Sequence, residues 1–278
     1  MAERLPALEA GGEAAAMRAT TLLYHDVVEP GDFDASGFPG RPSARYKLEW
    51  PRFREHLLAL DAGAEAPAVS AAELLGSRCP PGSWLLTFDD GGASAVRVGD
   101  ALTERGWRGH FFITVDRIGT PGFVDEEGVR ALVRQGHVVG SHSVSHPERM
   151  SRCSWATLLE EWSASAATLS RITGEEVRTA SVPGGYYSRE VAAAAAAAGL
   201  GVLFTSEPTV RVTSVDGCTV LGRYSILQNT PAQTAAALRA GRRGARVRQR
   251  ASWGVREVAK RAGGRSYLMI RQRLLQRH

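Results

Sequence analysis

Two short stretches hold side chains whose types and spacing suit metal-assisted hydrolysis. One is Thr87-Phe88-Asp89-Asp90-Gly91-Gly92, where adjacent carboxylates precede glycines that let the backbone turn sharply. On a regular strand neighbouring side chains point to opposite faces, so both carboxylates share a pocket only where the strand breaks, and a cation would relieve their repulsion. The other is Ser141-His142-Ser143-Val144-Ser145-His146-Pro147, whose imidazoles stand four residues apart and converge on one ion if the segment turns helically. Two imidazoles and one carboxylate, with a fourth position left to water, suit a hydrolytic metal site, and the other aspartate is then free to act as a base. Either stretch alone is a weak signal, since short motifs misfire readily. Their joint placement carries the reading.

That placement follows from the elements around them. Seven short apolar, β-rich runs alternate with helical patterns, as βαβ units do: Thr20 to His25, Trp84 to Asp89, His110 to Val115, His137 to Ser141, Thr179 to Pro183, Gly201 to Thr205 and Thr219 to Ile226. Helices are expected near Pro51 to Leu60 and over Ala93 to Arg105, Asp125 to Gln135, Ser154 to Ile172 and Val191 to Ala198, several of them closed by a glycine. Seven such units suggest a barrel-like sheet, whose chemistry gathers at the carboxyl ends of the strands, where both motifs fall. The segment from Val28 to Tyr46, rich in Gly, Pro and Asp, is a long excursion after the first strand, of the kind that is functional or disordered. His110 and His137 open strands at the opposite end of the barrel and read as structural. His56 and His278 have no partner in sequence, Trp155 and Trp162 read as core, and the Glu160-Glu161 pair reads as a solvated helix face.

Composition narrows the class. The 278 residues are 44% hydrophobic and 23% charged, enough for one large α/β domain and too apolar for a disordered chain. No apolar run reaches the roughly 18 residues of a membrane span. The start, with Glu3, Glu9 and Glu13, lacks the compact apolar stretch of a secretory signal, so a cytoplasmic location is expected. Cys79, Cys153 and Cys218 form no paired motif and read as small buried residues in a reducing compartment. The net charge of +5 conceals an asymmetry: residues 241–278 hold 12 Lys and Arg against the single acid Glu257, whereas residues 1–240 hold 22 bases against 28 acids. The tail lacks any nucleic-acid-reading motif, so no nucleic-acid partner is expected. Its Trp253, Val255, Val258, Tyr267, Leu268, Ile270, Leu274 and Leu275 recur at roughly helical intervals, which suits either helices docked on the domain or peripheral attachment to an anionic membrane. The chain thus divides into an extension over 1–18, a barrel over 19–240 and a basic helical tail over 241–278.

The intact TFDDG (87–91) and HSxxHP (142–147) motifs resemble those of the polysaccharide deacetylases, also called the NodB homology domain or carbohydrate esterase family 4; the likeness covers about residues 20–230. The resemblance implies a distorted (β/α)7, TIM-like barrel, in agreement with the seven runs. It implies that Asp89 is the catalytic base and that Asp90, His142 and His146 hold a divalent metal, commonly Zn2+, with Co2+, Ni2+ or Mn2+ as alternatives. The implied reaction removes N-acetyl groups from a sugar of an oligo- or polysaccharide, a lipid-linked precursor included.

Two departures stand out. The family's late LxxH motif, which supplies the acid for the leaving amine, is replaced by Ile226-Leu227-Gln228-Asn229, and Val182 in Ser181-Val182-Pro183-Gly184-Gly185-Tyr186-Tyr187 stands where an arginine normally orients the base. His25, in a Leu-Leu-Tyr-His-Asp run similar to the YH segment of some family members, is the candidate replacement acid. Tyr186 and Tyr187 are candidates for binding substrate or the oxyanion, Glu207 for the role of a missing aspartate, and Arg223 for contact with substrate or for orienting a carboxylate. The same departures leave open a glycan-binding protein without turnover, or a hydrolase acting on an O-acetyl ester or a small non-sugar amide.

Overall fold

The computed structural model describes residues 17–63, 65–76 and 82–255. Its strands in chain order are β1 (Thr21–Tyr24), β2 (Val27–Val28), β3 (Leu48–Glu49), β4 (Leu85–Phe88), β5 (Gly109–Ile113), β6 (Val138–Ser141), β7 (Thr179–Ser181), β8 (Val202–Phe204), β9 (Thr213–Val215), β10 (Cys218–Leu221) and β11 (Tyr224–Ser225). Nine of them form one sheet in the order β11-β1-β4-β5-β6-β7-β8-β10-β9, parallel throughout except for the antiparallel edge β9, and β2 and β3 pair separately. Because β10 and β11 are separated only by Gly222 and Arg223, one interrupted strand pairs with β8 by its first half and with β1 by its second. The sheet thereby curls around into the seven-unit barrel expected from the sequence.

The parallel strands of the sheet are short, mostly apolar and largely buried on both faces, as parallel strands under a cover of helices must be, whereas the antiparallel edge β9 exposes Thr213 and Ser214. Alternation along β4 sorts its residues. Leu86 and Phe88 join the cluster beneath the outer helices with Phe53, Phe111 and Leu102, while Leu85 packs with Phe112, Phe204 and Leu221. Thr87 and Asp89 continue the Leu85 face, so the strand's own period carries a carboxylate to the carboxyl end of that face.

The helices follow their caps. Asp125 accepts the Gly128 N–H at the start of Glu126–Arg134, Ser154 accepts the Thr157 N–H at the start of Trp155–Thr173, and Gly174, with φ +74°, ends the latter. Trp162 lies in the core, but Trp155, expected there too, is 44% exposed on the first turn of its helix. His110 and His137 serve the scaffold: His110 accepts the Ala71 N–H at Nε2 and faces Leu86 O, while His137 accepts the Gly109 N–H and faces Gly99 O. His56, without a partner in sequence, is buried between Tyr24 Oη and Thr230 O. Cys218 is buried, Cys153 only half so, and Cys79 lies outside the described residues. The tail is helical over residues 243–255; Trp253 is half-buried, and Val258, Tyr267, Leu268, Ile270, Leu274 and Leu275 lie outside the described residues, as does most of the 1–18 extension. Among the described residues no helix is long and apolar enough to cross a membrane.

Candidate active site

The carboxyl ends of β1, β4, β6, β7 and β10 meet in one place. Directly after β4, Asp89 remains inside the barrel mouth, whereas Asp90 adopts φ +78° and leaves the strand, which is the break that adjacent carboxylates require. Asp90 Oδ1 lies 3.4 Å from His142 Nε2 and 3.7 Å from His146 Nε2. One ligand atom from each of the three residues falls within 4.8 Å of the others.

The convergence of the two histidines corrects the helical expectation. Residues 142–146 form no helix; Ser143 and His146 take φ +66° and +58°, and these left-handed bends fold the second imidazole back beside the first, with ring centroids 5.1 Å apart. Side chains hold the bends. Ser141 Oγ accepts the Ser143 N–H and Ser143 Oγ accepts the His146 N–H. Glu161, expected on a solvated face, instead reaches from the helix Trp155–Thr173 to accept the N–H groups of Val144 (2.8 Å) and Ser145 (3.0 Å) and the Ser145 hydroxyl. A carboxylate facing a turn of free N–H groups was the missed opportunity in the sequence.

The three residues fit a divalent cation. His142 Nδ1 lies 3.0 Å from the Ser181 carbonyl and donates to it, which leaves the Nε2 lone pair toward Asp90. Burial would lower the His142 pKa, but Asp89 and Asp90 outweigh it and hold it above its ordinary value; burial and the neighbouring His142 bring His146 down to about 4. Burial would raise the Asp90 carboxyl, yet the surrounding imidazoles hold it well below the usual carboxylate range. Two imidazoles and one carboxylate form the donor set of open, hydrolytic sites.

Asp89 is held differently. Arg223 Nη1 and Nη2 grip its two oxygens at 2.7 and 2.9 Å, and the Ser181 hydroxyl donates to it at 3.1 Å. Arg223 also donates to Thr87 Oγ1, Ser181 Oγ and Thr205 O, so all five guanidinium donors are engaged in a fully buried side chain. This corrects the expectation of substrate contact for Arg223: no donor remains, and its place is beneath the base. It also resolves the Val182 departure, because the orienting guanidinium arrives from the gap between β10 and β11 while Val182 itself is buried. Burial would raise the Asp89 pKa, but Arg223 and His142 hold it below the usual value.

The other candidates divide. His25, at the end of β1, lies within the field of Asp90 and Asp89; its Nδ1 is buried without a hydrogen-bond partner, and burial lowers its pKa against those two carboxylates. Tyr186 and Tyr187 follow the β7 turn, where Arg149 lies over the Tyr186 ring and Tyr187 is 37% exposed. Glu207 reaches Arg223 through its backbone, accepting the Arg223 N–H at 2.8 Å, and not through a carboxylate.

Sequence reasoning missed Asp26. This buried carboxylate accepts from Ser36 Oγ (2.7 Å) and Ser94 Oγ (3.2 Å), and burial together with Asp90 pushes its pKa up to about 6. A Cβ on Gly92 would lie 1.8 Å from Asp26 Oδ1. The second glycine after Asp89-Asp90 was the available hint that another group packs there.

A curled parallel barrel with an Asp-His-His cluster and a guanidinium-held aspartate at its mouth defines the class to which the comparisons then add. Residues 77–203 match the family model described as polysaccharide deacetylase. A chitooligosaccharide deacetylase of Bradyrhizobium sp. (strain ANU 289) is 35% identical over 124 residues, 44% of this chain and 54% of that protein, so the match spans about half the relative's length. The fold matches that of the Streptococcus pyogenes deacetylase PplD in complex with acetate (TM-score 0.64, 17% identity, 79% of this chain and 96% of that one). It also matches IcaB from Ammonifex degensii (TM-score 0.64, 22% identity, 80% and 97%).

Proposed function

We propose that the protein is a metal-dependent hydrolase that removes N-acetyl groups from the sugars of an oligo- or polysaccharide. The observation that carries this reading is the pairing of roles on adjacent residues: Asp89, ionised and gripped by Arg223, stands one residue before Asp90, which faces both imidazoles. The chitooligosaccharide deacetylase activity of the Bradyrhizobium relative and the family match support the same class.

Asp90, His142 and His146 would hold the cation, for which zinc fits two imidazoles and a carboxylate. When bound, it supplies polarisation of the acetyl carbonyl and an acidified water. Asp89 takes the proton from the attacking water, and Arg223 keeps its two oxygens ionised and oriented for that transfer. Water oxygen bonds to the carbonyl carbon, the C–N bond breaks, and the proton delivered to nitrogen completes acetate and a free amine. His25 is the proposed donor of that proton, on its place at the end of β1 and its unpartnered Nδ1. An O-acetyl ester is the second reading, favoured by the burial that lowers the His25 pKa, since an alkoxide leaves with less help from an acid than an amine does.

We further propose a cytoplasmic protein that attaches peripherally to the inner membrane face, where a lipid-linked glycan precursor would be its substrate. Helix 243–255 exposes Val247 and Val255 beside the exposed Arg243, Arg248 and Arg250, which supports that reading. Co-sedimentation with anionic but not neutral vesicles is its test.

For the activity, the purified chain is stripped with a chelator, reloaded with Zn2+ and offered chitooligosaccharides. Acetate release should vanish on stripping, return on reloading and be absent in Asp89→Asn with zinc still bound. Stripping should also lower the unfolding free energy, by about 2.7 kcal/mol relative to protein held at 100 times the metal's Kd. An unchanged unfolding curve with or without zinc would refute the metal site, and zinc-loaded protein that releases no acetate would refute the reaction.

A further inference from the structure

The excursion after β1 is not a loose loop. Lys47, buried at its end, donates to the carbonyls of Phe33 (2.6 Å) and Phe38 (2.7 Å). Ser36 is tied to Asp26, the Gly37 N–H donates to Gly122 O at 2.7 Å, and the Arg45 carbonyl accepts the Gln228 N–H at 2.8 Å. A Cβ on Gly37 would lie 1.9 Å from Asp26 Oδ2, so the backbone presses directly on the buried carboxylate. These bonds fix two aromatic side chains. The Phe38 ring packs on His146 with centroids 4.8 Å apart, and the Tyr46 ring packs on His25 at 4.9 Å.

The two rings therefore stand on two flanks of the cluster. Of its three residues His146 is the most open, with 23% of its side chain exposed against 1% for His142 and 12% for Asp90, so the route to the cation passes Phe38. Each aromatic has a guanidinium over it. Arg117 sits 5.3 Å from the Phe38 centroid and 5.9 Å from that of Phe123, which meets Phe38 edge-on, and Arg45 sits 5.5 Å from the Tyr46 centroid. Sugar rings present apolar C–H faces and hydroxyl rims, and an aromatic surface with fixed donors beside it complements both.

We propose that residues 29–46, with Arg117 packed over Phe38 from beyond β5, form a preorganised glycan-gripping lip, with Phe38 and Arg117 on one side of the reacting sugar and Tyr46 and Arg45 on the other, so that the site takes an internal residue of a chain of at least three sugars. The proposal rests on the hydrolase reading above. It adds that substrate recognition lies in the excursion, on both flanks of the metal cluster, where a single sugar would meet at most one wall.

The test uses the zinc-loaded full chain with N-acetylglucosamine oligomers of one to six units and with p-nitrophenyl acetate as a small ester. In the parent, kcat/KM should rise at least about tenfold from the monomer to the trimer and longer chains. Phe38→Ala, Tyr46→Ala and the exposed Arg117→Ala should each lower the hexamer-to-ester ratio of kcat/KM by about five- to tenfold, mainly through KM, with one zinc per chain retained. A flat length dependence would overturn the lip, as would variants in which hexamer and ester rates fall together or the ratio stays put. If the parent turns over neither substrate, the hydrolase reading fails. The lip is then judged by calorimetric binding of the hexamer to the Asp89→Asn protein, which Arg117→Ala and Phe38→Ala should weaken by a similar factor and which an absent or unaltered affinity would contradict.

Discussion

Asp89 and the histidine segment lie side by side at the barrel mouth, yet they are fixed by opposite means. Asp89 sits where strand alternation puts it, and its partners Ser181 and Arg223 come from two other strand ends whose register is set by the whole sheet. His142 and His146 sit on a bent segment held by its own serines and by Glu161 from one helix. The base is thus positioned by long-range closure of the barrel, and the metal ligands largely by local turn chemistry. Damage to the first should spread into folding, whereas damage to the second should stay in the metal site.

The largest effect expected is at Arg223. Arg223→Met leaves Asp89 buried and unpaired, and breaking a buried pair in this way costs about 3–5 kcal/mol. Urea unfolding should show that loss, and Arg223→Lys should recover little of it because an ammonium cannot reproduce the two-pronged grip and the three further bonds. The double variant Asp89→Asn, Arg223→Met should be more stable than Arg223→Met alone, since no buried charge is left behind. If Arg223→Met unfolds like the parent, the base is not positioned by the barrel and the comparison breaks.

A middle effect is expected at Glu161. Glu161→Gln replaces an acceptor oxygen by an amide N–H₂ in front of N–H groups that already donate, at about 1–3 kcal/mol for the bonds lost. Ligand-positioning groups of this kind typically shift metal affinity by about 10–100-fold. Competition with a colorimetric chelator should register the weaker zinc binding, while Asp89 and its guanidinium remain undisturbed. Unchanged zinc affinity would mean that Glu161 only staples a surface loop.

The same contrast explains what could be read from the sequence. The seven strands were legible because each is a short apolar run bounded by turn residues, and the helix ends because Asp125, Ser154 and Gly174 are caps that act within one turn. The Asp-Asp-Gly and histidine motifs were legible because each gathers its reactive residue types within a few consecutive positions. Arg223 lies 134 residues from Asp89, and only the closing of the sheet through the β10–β11 interruption brings them together. Glu161 looked like one more charge on a helix, since nothing in its own neighbourhood reveals the turn it faces. Asp26, Lys47 and Phe38 depend on how a long excursion folds back, and no period governs such a segment.

The smallest effect isolates the bend itself. Ser143 combines a left-handed backbone, φ +66°, with a hydroxyl that accepts the His146 N–H at 3.0 Å. Ser143→Ala removes the acceptor and keeps the steric penalty, whereas Ser143→Gly removes the acceptor and relieves a left-handed strain of about 1–2 kcal/mol, less the roughly 0.5–1 kcal/mol by which glycine loosens the unfolded chain. The glycine variant should therefore unfold about 0.5–1 kcal/mol later than the alanine variant, with the two alike in zinc affinity because both lack the same hydrogen bond. Equal stability would show that the bend carries no strain, and the ligands would then be held by Glu161 and the serine hydroxyls alone.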